Sequence, residues 1–306
     1  MSFFPGEDPT AGDALSSDAI EKLIIPRTSD IGGFEVRRAL PSSRRRLVGP
    51  FIFFDRMGPA LLKAGSALDV RPHPHIGLST VTYLFDGEIK HRDSLGTERV
   101  VRPGDLNLMT AGRGIVHSER TPENSRGQPL SISGVQTWLA LPDGREEIDP
   151  SFSHTDRDDM PVFAAGGAQG RLIIGEFEGL VSPVSTLSDT LYVDLRLDPL
   201  SKFQFSAGYE ERAIYILEGS LTIAGDNFDA DRLLVVRPGD DVTIKSNETG
   251  CHIMLFGGAP LASRRYIWWN FVSSSKERIE QAKEEWRTAR FDIVPGDEEE
   301  FIPLPE

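Results

Sequence analysis

Short apolar runs separated by turn signals dominate the first half of the chain. Leu47 to Phe54, Thr80 to Phe85, Gly114 to Val116 and Val135 to Leu141 are each short enough for a strand. Between them stand Asp86-Gly87, Pro103-Gly104-Asp105 and Pro142-Asp143-Gly144, the residue types that tight turns need. The pattern resumes at Arg171 and continues to about Phe256. The charged stretch between, residues 143–160 with Glu146, Glu147, Asp149, Asp156, Asp158 and Asp159, reads as a linker. One helix signal stands out. Ser274 as N-cap with Glu277 three residues on makes a capping box, and Ile279, Ala282 and Trp286 follow at helical spacing. This predicts a helix over roughly 275–289, its apolar face packed on the second half. The acidic run from Asp297 to Glu300 reads as a solvated tail.

The two halves repeat. Val100-Val101-Arg102-Pro103-Gly104-Asp105 is matched letter for letter by Val235-Val236-Arg237-Pro238-Gly239-Asp240. Upstream, Val81 to Gly87 resembles Ala213 to Gly219, in the same order. Two matched blocks imply two copies of one mostly-β unit, and so an all-β protein of two barrels or sandwiches. A length of 306 residues fits two domains of ordinary size.

Composition narrows the function. Apolar residues at 39% and charged residues at 26% are those of a globular protein. No run approaches the ~20 apolar residues of a membrane helix, and the N-terminus lacks a basic segment followed by an apolar one, so a cytoplasmic protein is expected. A formal net charge of −14 repels phosphate and argues against direct nucleic-acid binding. Arg44-Arg45-Arg46, with Arg37 and Arg38 nearby, reads as a solvated loop face. The single cysteine, Cys251, suits a reducing compartment. It adjoins His252, but neighbours on a strand point to opposite faces, which argues against a nucleophile–base pair.

Three of the six histidines fall into two motifs, His73-Pro74-His75 and His117-Ser118-Glu119. Each holds two metal-ligand side chains at i and i+2, a spacing that puts both on one face of a strand. Two such strands facing each other across a small barrel would bring three imidazoles and one carboxylate to one point. Pro74 implies an edge or irregular strand. Imidazole and carboxylate together serve Fe, Mn, Co, Ni, Cu or Zn as a divalent ion, with positions left open for an oxygen ligand or dioxygen. His91 is expected at the surface or just behind a ligand, and His154 exposed in the linker. His252 follows Pro238 as His117 follows Pro103, but Phe205 and Ala207 stand where His73 and His75 do, so the second unit is expected to lack metal.

Taken together, His73-Pro74-His75, His91-Arg92-Asp93-Ser94-Leu95-Gly96, Ala111-Gly112-Arg113-Gly114-Ile115-Val116-His117-Ser118-Glu119 and Phe53-Phe54-Asp55-Arg56-Met57-Gly58-Pro59 resemble the pirin family of the cupin superfamily, from about residue 30 to 290. The resemblance implies a bicupin of two jelly-roll-like barrels. The expected domains are a flexible leader over 1–25, an N-terminal metal-binding cupin over 26–150, and a C-terminal cupin without metal over 165–306 that ends in the helix. It implies one divalent metal, iron first among the candidates, held by His73, His75, His117 and Glu119. One position departs: many pirins have Arg-Gly-Phe-Glu where this chain reads Ile76-Gly77-Leu78-Ser79.

Some pirins resemble quercetin 2,3-dioxygenases in activity, and others are regulatory proteins that bind a protein partner. The leading expectation is a dioxygenase acting on a flavonol-like or other enol-bearing aromatic, with dioxygen as co-substrate. Glu119 would be both ligand and general base, and Leu78, Tyr83 and Met109 would line the cavity. The alternative is a non-enzymatic protein that senses metal or redox state and binds a protein partner through the same four ligands.

Overall fold

A computed structural model describes residues 19–30, 34–64, 67–239 and 241–305. Their contacts form two compact units, neither of them continuous in sequence. One comprises Thr28–Arg37, Phe53–Arg157 and the residues from Leu261 onward. The other comprises the described residues up to Arg27, then Arg38–Ile52 and Asp158–Pro260.

The chain opens with β1 (Ile20–Ile24), β2 (Arg27–Asp30), β3 (Glu35–Leu40) and β4 (Phe51–Leu62). It continues with β5 (Asp69–His75), β6 (Leu78–Asp86), β7 (Ile89–Asp93) and β8 (Glu98–Val101). Then come β9 (Leu106–Thr110), β10 (Ile115–Arg120), β11 (Leu130–Ala140) and β12 (Ser151–Thr155). A seven-stranded sheet runs β12-β9-β6-β11-β4-β3-β2, and a four-stranded sheet runs β5-β10-β7-β8. β6 shows how the first sheet presents one face to a chamber. Thr80 is paired with Trp138 on β11 and Met109 on β9, and Thr82 with Gln136 and Asn107. Directly paired residues share a face, so these side chains stand together. Val36, Met57, Leu68, Leu84, Ile89, Val101 and Ile132 form an apolar cluster in the same unit. Burying each such side chain is worth about 1.5–3 kcal/mol.

In the other unit, the longest sheet path joins Ile20–Ile24, Arg232–Val236, Glu211–Ile223, Val242–Gly258, Thr190–Leu197, Ala168–Ile174 and Val162–Ala165. Its interior is filled by Phe205, Ile214, Ile216, Leu234, Ile253 and other apolar side chains. The repeat reappears as backbone geometry. Gly104 and Gly239 have φ of 87° and 84°, and Gly87 and Gly219 have 85° and 74°. Both turn pairs therefore need the left-handed conformation that glycine adopts without steric cost.

Four expectations change. Residues 1–18 lie outside the described residues, but 20–24 of the expected leader form β1, paired with Leu233 to Val236, because Ile20 and Ile24 bury against that sheet. The two units divide within the expected linker, between Arg157 and Asp158, and its residues 143–157 belong to the first unit. Residues 151–155 are β12, paired with β9, and Glu146 is buried, accepting from Ser273 Oγ and the Ser274 N–H. The helix α1 spans Lys276–Arg287, with Ser275 rather than Ser274 as the cap. Ser275 has extended backbone and its hydroxyl accepts from Arg278 N, three residues on, while the Ser274 N–H donates to Glu146. The apolar face of α1, Ile279 and Ala282, packs with Ile76 and Phe271 in the first unit, not on the second barrel. Strand pairing decides this, because Phe271 bridges to Ile76 and Val272 N donates to the Ile76 carbonyl. No helix among the described residues is long and apolar enough to cross a membrane.

Candidate metal centre

His73 and His75 lie on β5, and His117 and Glu119 on β10. The two strands are hydrogen-bonded neighbours in one sheet, with His73 directly paired to His117, rather than facing each other across the barrel. Adjacent antiparallel pairing brings the two faces into line just as well. β5 is the sheet edge, where Pro74 costs no ladder bond. Ligand atoms of His73, His75 and His117 all lie within 4.8 Å of one another, and all three residues are buried.

Electrostatics prepare these rings as ligands. Burial, then the charge of His73, holds His75 well below the ordinary imidazole value. Burial and the other three imidazoles nearby do the same for His117. For His73 burial also wins, against the Arg71 carbonyl and the Glu119 carboxylate, which favour the charged form. Neutral imidazole is the metal-binding form. His73 Nδ1 sits 2.8 Å from the Arg71 carbonyl, so it carries the proton and leaves Nε2 with its lone pair. His75 Nε2 and His117 Nε2 stand 3.1 Å apart. Two ligand nitrogens at about 2.1 Å from one ion and at right angles are separated by about 3.0 Å. The donor set and its spacing therefore fit a divalent metal.

Glu119 is buried in the same chamber but outside the three-histidine cluster. Its two carboxylate oxygens accept from Gln136 Nε2 at 2.8 and 2.9 Å, and Thr82 Oγ1 donates to Oε1 at 3.3 Å. Phe53 stacks on Trp138 at 4.0 Å between ring centroids, and Trp138 meets the His75 ring edge-on at 5.2 Å. Met109 and Leu78 fall on the chamber face of their strands. Tyr83 does not: it is buried on the opposite face of β6 from Thr82, because successive strand residues alternate. Ser79 lies on that opposite face too, bonded to Thr110 Oγ1 at 2.8 Å. The departure from the family motif there removes no carboxylate from the chamber wall.

The other histidines are more engaged than their sequence context implies. His91 is 3% exposed, stacked on Phe152, with Nδ1 3.4 Å from His117 Nδ1 and Nε2 3.0 Å from Asp93 Oδ2. Burial pushes the Asp93 carboxyl up, but the His91 hydrogen bond and charge and the Thr97 contacts outweigh it and leave its pKa lowered. His154 is not solvent-exposed. Its pairing on β12 opposite Asn107 sets Nδ1 2.7 Å from the Asn107 side-chain Oδ1, near Asp105 and Asp156. His252 is bonded to Asp194 at 2.6 Å, while its neighbours Cys251 and Ile253 point into the second barrel. It therefore faces away from the interior where a counterpart of His117 would point. Burial pushes the Cys251 thiol up to about 11, which removes it as a nucleophile at neutral pH.

Gln136, Asp93 and Trp138 were missed by sequence reasoning. Two of them carried a signal. Gln136 is a polar residue inside the apolar run Val135 to Leu141, and Asp93 stands at i+2 from His91, the same spacing that singled out the candidate ligands.

Two β-barrel units, one bearing three converging buried imidazoles on neighbouring strands, define a bicupin with a candidate metal centre in its N-terminal barrel. Family models described as Pirin and as Pirin C-terminal cupin domain match residues 33–139 and 192–292. The chain belongs to the pirin family. A pirin-like protein of Caulobacter vibrioides is 47% identical over 290 residues, covering 94% of this chain and 100% of that protein. A crystal structure of a quercetin 2,3-dioxygenase from Acinetobacter baumannii superposes with a TM-score of 0.86 at 33% identity, covering 93% of this chain and 94% of that one. A bacterial pirin from Escherichia coli, solved in complex with nickel(II), shares the fold at a TM-score of 0.61 and 20% identity, over 78% of this chain and 99% of that one.

Proposed function

We propose that this pirin is a metal-dependent dioxygenase that opens a ring of a flavonol-like or other enol-bearing aromatic, as a quercetin 2,3-dioxygenase does. The observation that carries the reading is the cluster itself: three buried imidazoles whose ligand atoms converge, with a buried carboxylate close by, among Phe53, Trp138, Met109 and Phe152. His73, His75 and His117 would hold one divalent first-row ion, iron first among the candidates, with Glu119 as a fourth ligand. Bound there, such an ion supplies a Lewis acid that lowers the pKa of an enol or phenol oxygen.

The chain's own groups do the rest. Glu119 accepts the substrate proton at a carboxylate oxygen, and Gln136 holds that carboxylate in place through both of its hydrogen bonds. Phe53, Trp138 and Met109 present apolar surface that excludes water and suits a flat aromatic ring. The Trp138 indole N–H is buried without a hydrogen-bond partner among the described residues and is a donor available to a substrate oxygen. The similarity to the Acinetobacter baumannii dioxygenase along nearly the whole chain supports the same reading.

Oxygen uptake tests it. Protein reconstituted with iron, manganese, cobalt, nickel or copper is supplied with a panel of flavonols and enediols, and substrate-dependent uptake is expected with about one metal per chain. No uptake with any pairing, despite tight metal binding, would replace this reading with that of a metal-sensing protein that binds a partner.

A further inference from the structure

Behind the candidate ligand His117 lie two buried groups, His91 and Asp93, whose hydrogen bonds can run in one direction, from His117 through a neutral His91 to Asp93. Asp93 is fully buried, and its Oδ1 accepts from Leu95 N at 2.9 Å and Thr97 N at 3.1 Å, which fixes the carboxylate. Its Oδ2 lies 3.0 Å from His91 Nε2. An ionised carboxylate only accepts, so His91 Nε2 carries the ring proton, and a neutral His91 presents a lone pair at Nδ1. That atom faces His117 Nδ1 at 3.4 Å. Only one proton fits between them, and it belongs to His117. His117 Nε2, the nitrogen beside His75, is then left with its lone pair. Stacking on Phe152 at 4.6 Å holds the His91 ring in the plane this requires.

We propose that Asp93 and His91 form a carboxylate–imidazole chain that fixes the metal-binding tautomer of His117, with His91 as the positioning residue. The inference rests on the metal reading of His73, His75 and His117. A ligating histidine commonly gives its remote N–H to a carboxylate or carbonyl, and losing that partner costs 10–100-fold in affinity. Here a second imidazole is interposed, so the carboxylate sets the tautomer of both rings. A buried carboxylate and a buried histidine outside the ligand cluster thereby gain a role.

The test is nickel(II) affinity of the full-length protein by competition with a chelator. Asp93→Asn keeps an oxygen for Leu95 and Thr97 but turns a donor toward His91 Nε2. The His91 proton moves to Nδ1, against the His117 N–H, and affinity is expected to fall about 10–100-fold. His91→Phe preserves the stacking and removes the acceptor, with a fall of the same order. His91→Gln should recover most of the loss, because its carbonyl can accept from His117 while its amide donates to Asp93. In the His91→Phe background, Asp93→Asn should change affinity by less than about twofold, since no tautomer remains to invert. An equal loss from Asp93→Asn in both backgrounds, or wild-type affinity in His91→Phe, overturns the chain. If Asp93→Asn does not fold, the contrast between His91→Phe and His91→Gln decides alone, and equal affinities overturn it. Wild-type protein that binds neither nickel(II) nor iron(II) overturns the metal reading as well, which separates the two failures.

Discussion

Glu119 and Gln136 meet from two different sheets, β10 on one side and β11 on the other. The enzymatic reading depends most on this pair. Glu119→Gln keeps the size and a coordinating oxygen but removes the charge and nearly all of the basicity. Three neutral imidazoles still hold a divalent ion, so metal is retained at high loading. Turnover on a flavonol at full metal occupancy should drop by about 10²-fold or more, the scale of a lost general base. Steady-state oxygen uptake at matched metal content measures this, and wild-type turnover would remove Glu119 from the role of base. At the same scale, Arg265 is a buried cation with a structural duty. Its guanidinium donates to the Leu141 carbonyl at 2.7 Å and to Asp143 at 2.6 Å, and approaches Glu146 at 3.4 Å. Arg265→Met strands a buried carbonyl and a buried carboxylate, so urea melts should show a loss of about 3 kcal/mol.

The helix and its approach behave as one element with the metal barrel. Ile76 follows the candidate ligand His75 directly, and it packs on Phe271, Ile279 and Ala282. Glu146 ties the helix entry down through Ser273 and Ser274. A chain ending at Ser273 would expose Ile76 and Phe271 and deprive Glu146 of the Ser274 N–H. The expected result is a lower melting temperature and a smaller rise on adding nickel(II), because binding stabilises only a folded site. Differential scanning calorimetry of the two lengths, with and without metal, checks it. A normal metal-induced rise in the shorter chain would show that the barrel holds its site without the helix.

For the whole molecule, the buried histidines link stability to pH. His73, His75 and His117 have folded values below the ordinary imidazole value, so the unfolded chain binds more protons as pH falls through about 6.5. The metal-free protein should therefore be fully stable above that pH. It should weaken as pH drops from 6.5 toward the depressed folded values, by up to about 1.4 kcal/mol per pH unit per histidine. Urea melts in chelator at pH 7.5 and 5.5 measure this, and His75→Asn should flatten the slope.

Two-residue alternation, which is local and steric, was enough to pair His73 with His75 and His117 with Glu119. Turn chemistry and the repeated Val-Val-Arg-Pro-Gly block were enough for two β units. The Ser-Ser-Lys-Glu segment announced the helix to within a residue of its cap. Sequence by itself thus determined side-chain direction, turn position and which donor types share a strand face, because each depends on neighbours a few bonds away. Tertiary structure decided what depends on pairing between distant segments. It put β5 beside β10 rather than opposite it, gave Glu119 to Gln136, and set His91 behind His117. It also returned the C-terminal helix to the first barrel and the strand at Ile20 to the second. Such contacts are chosen by backbone hydrogen bonds and packing between parts of the chain that carry no local mark of each other.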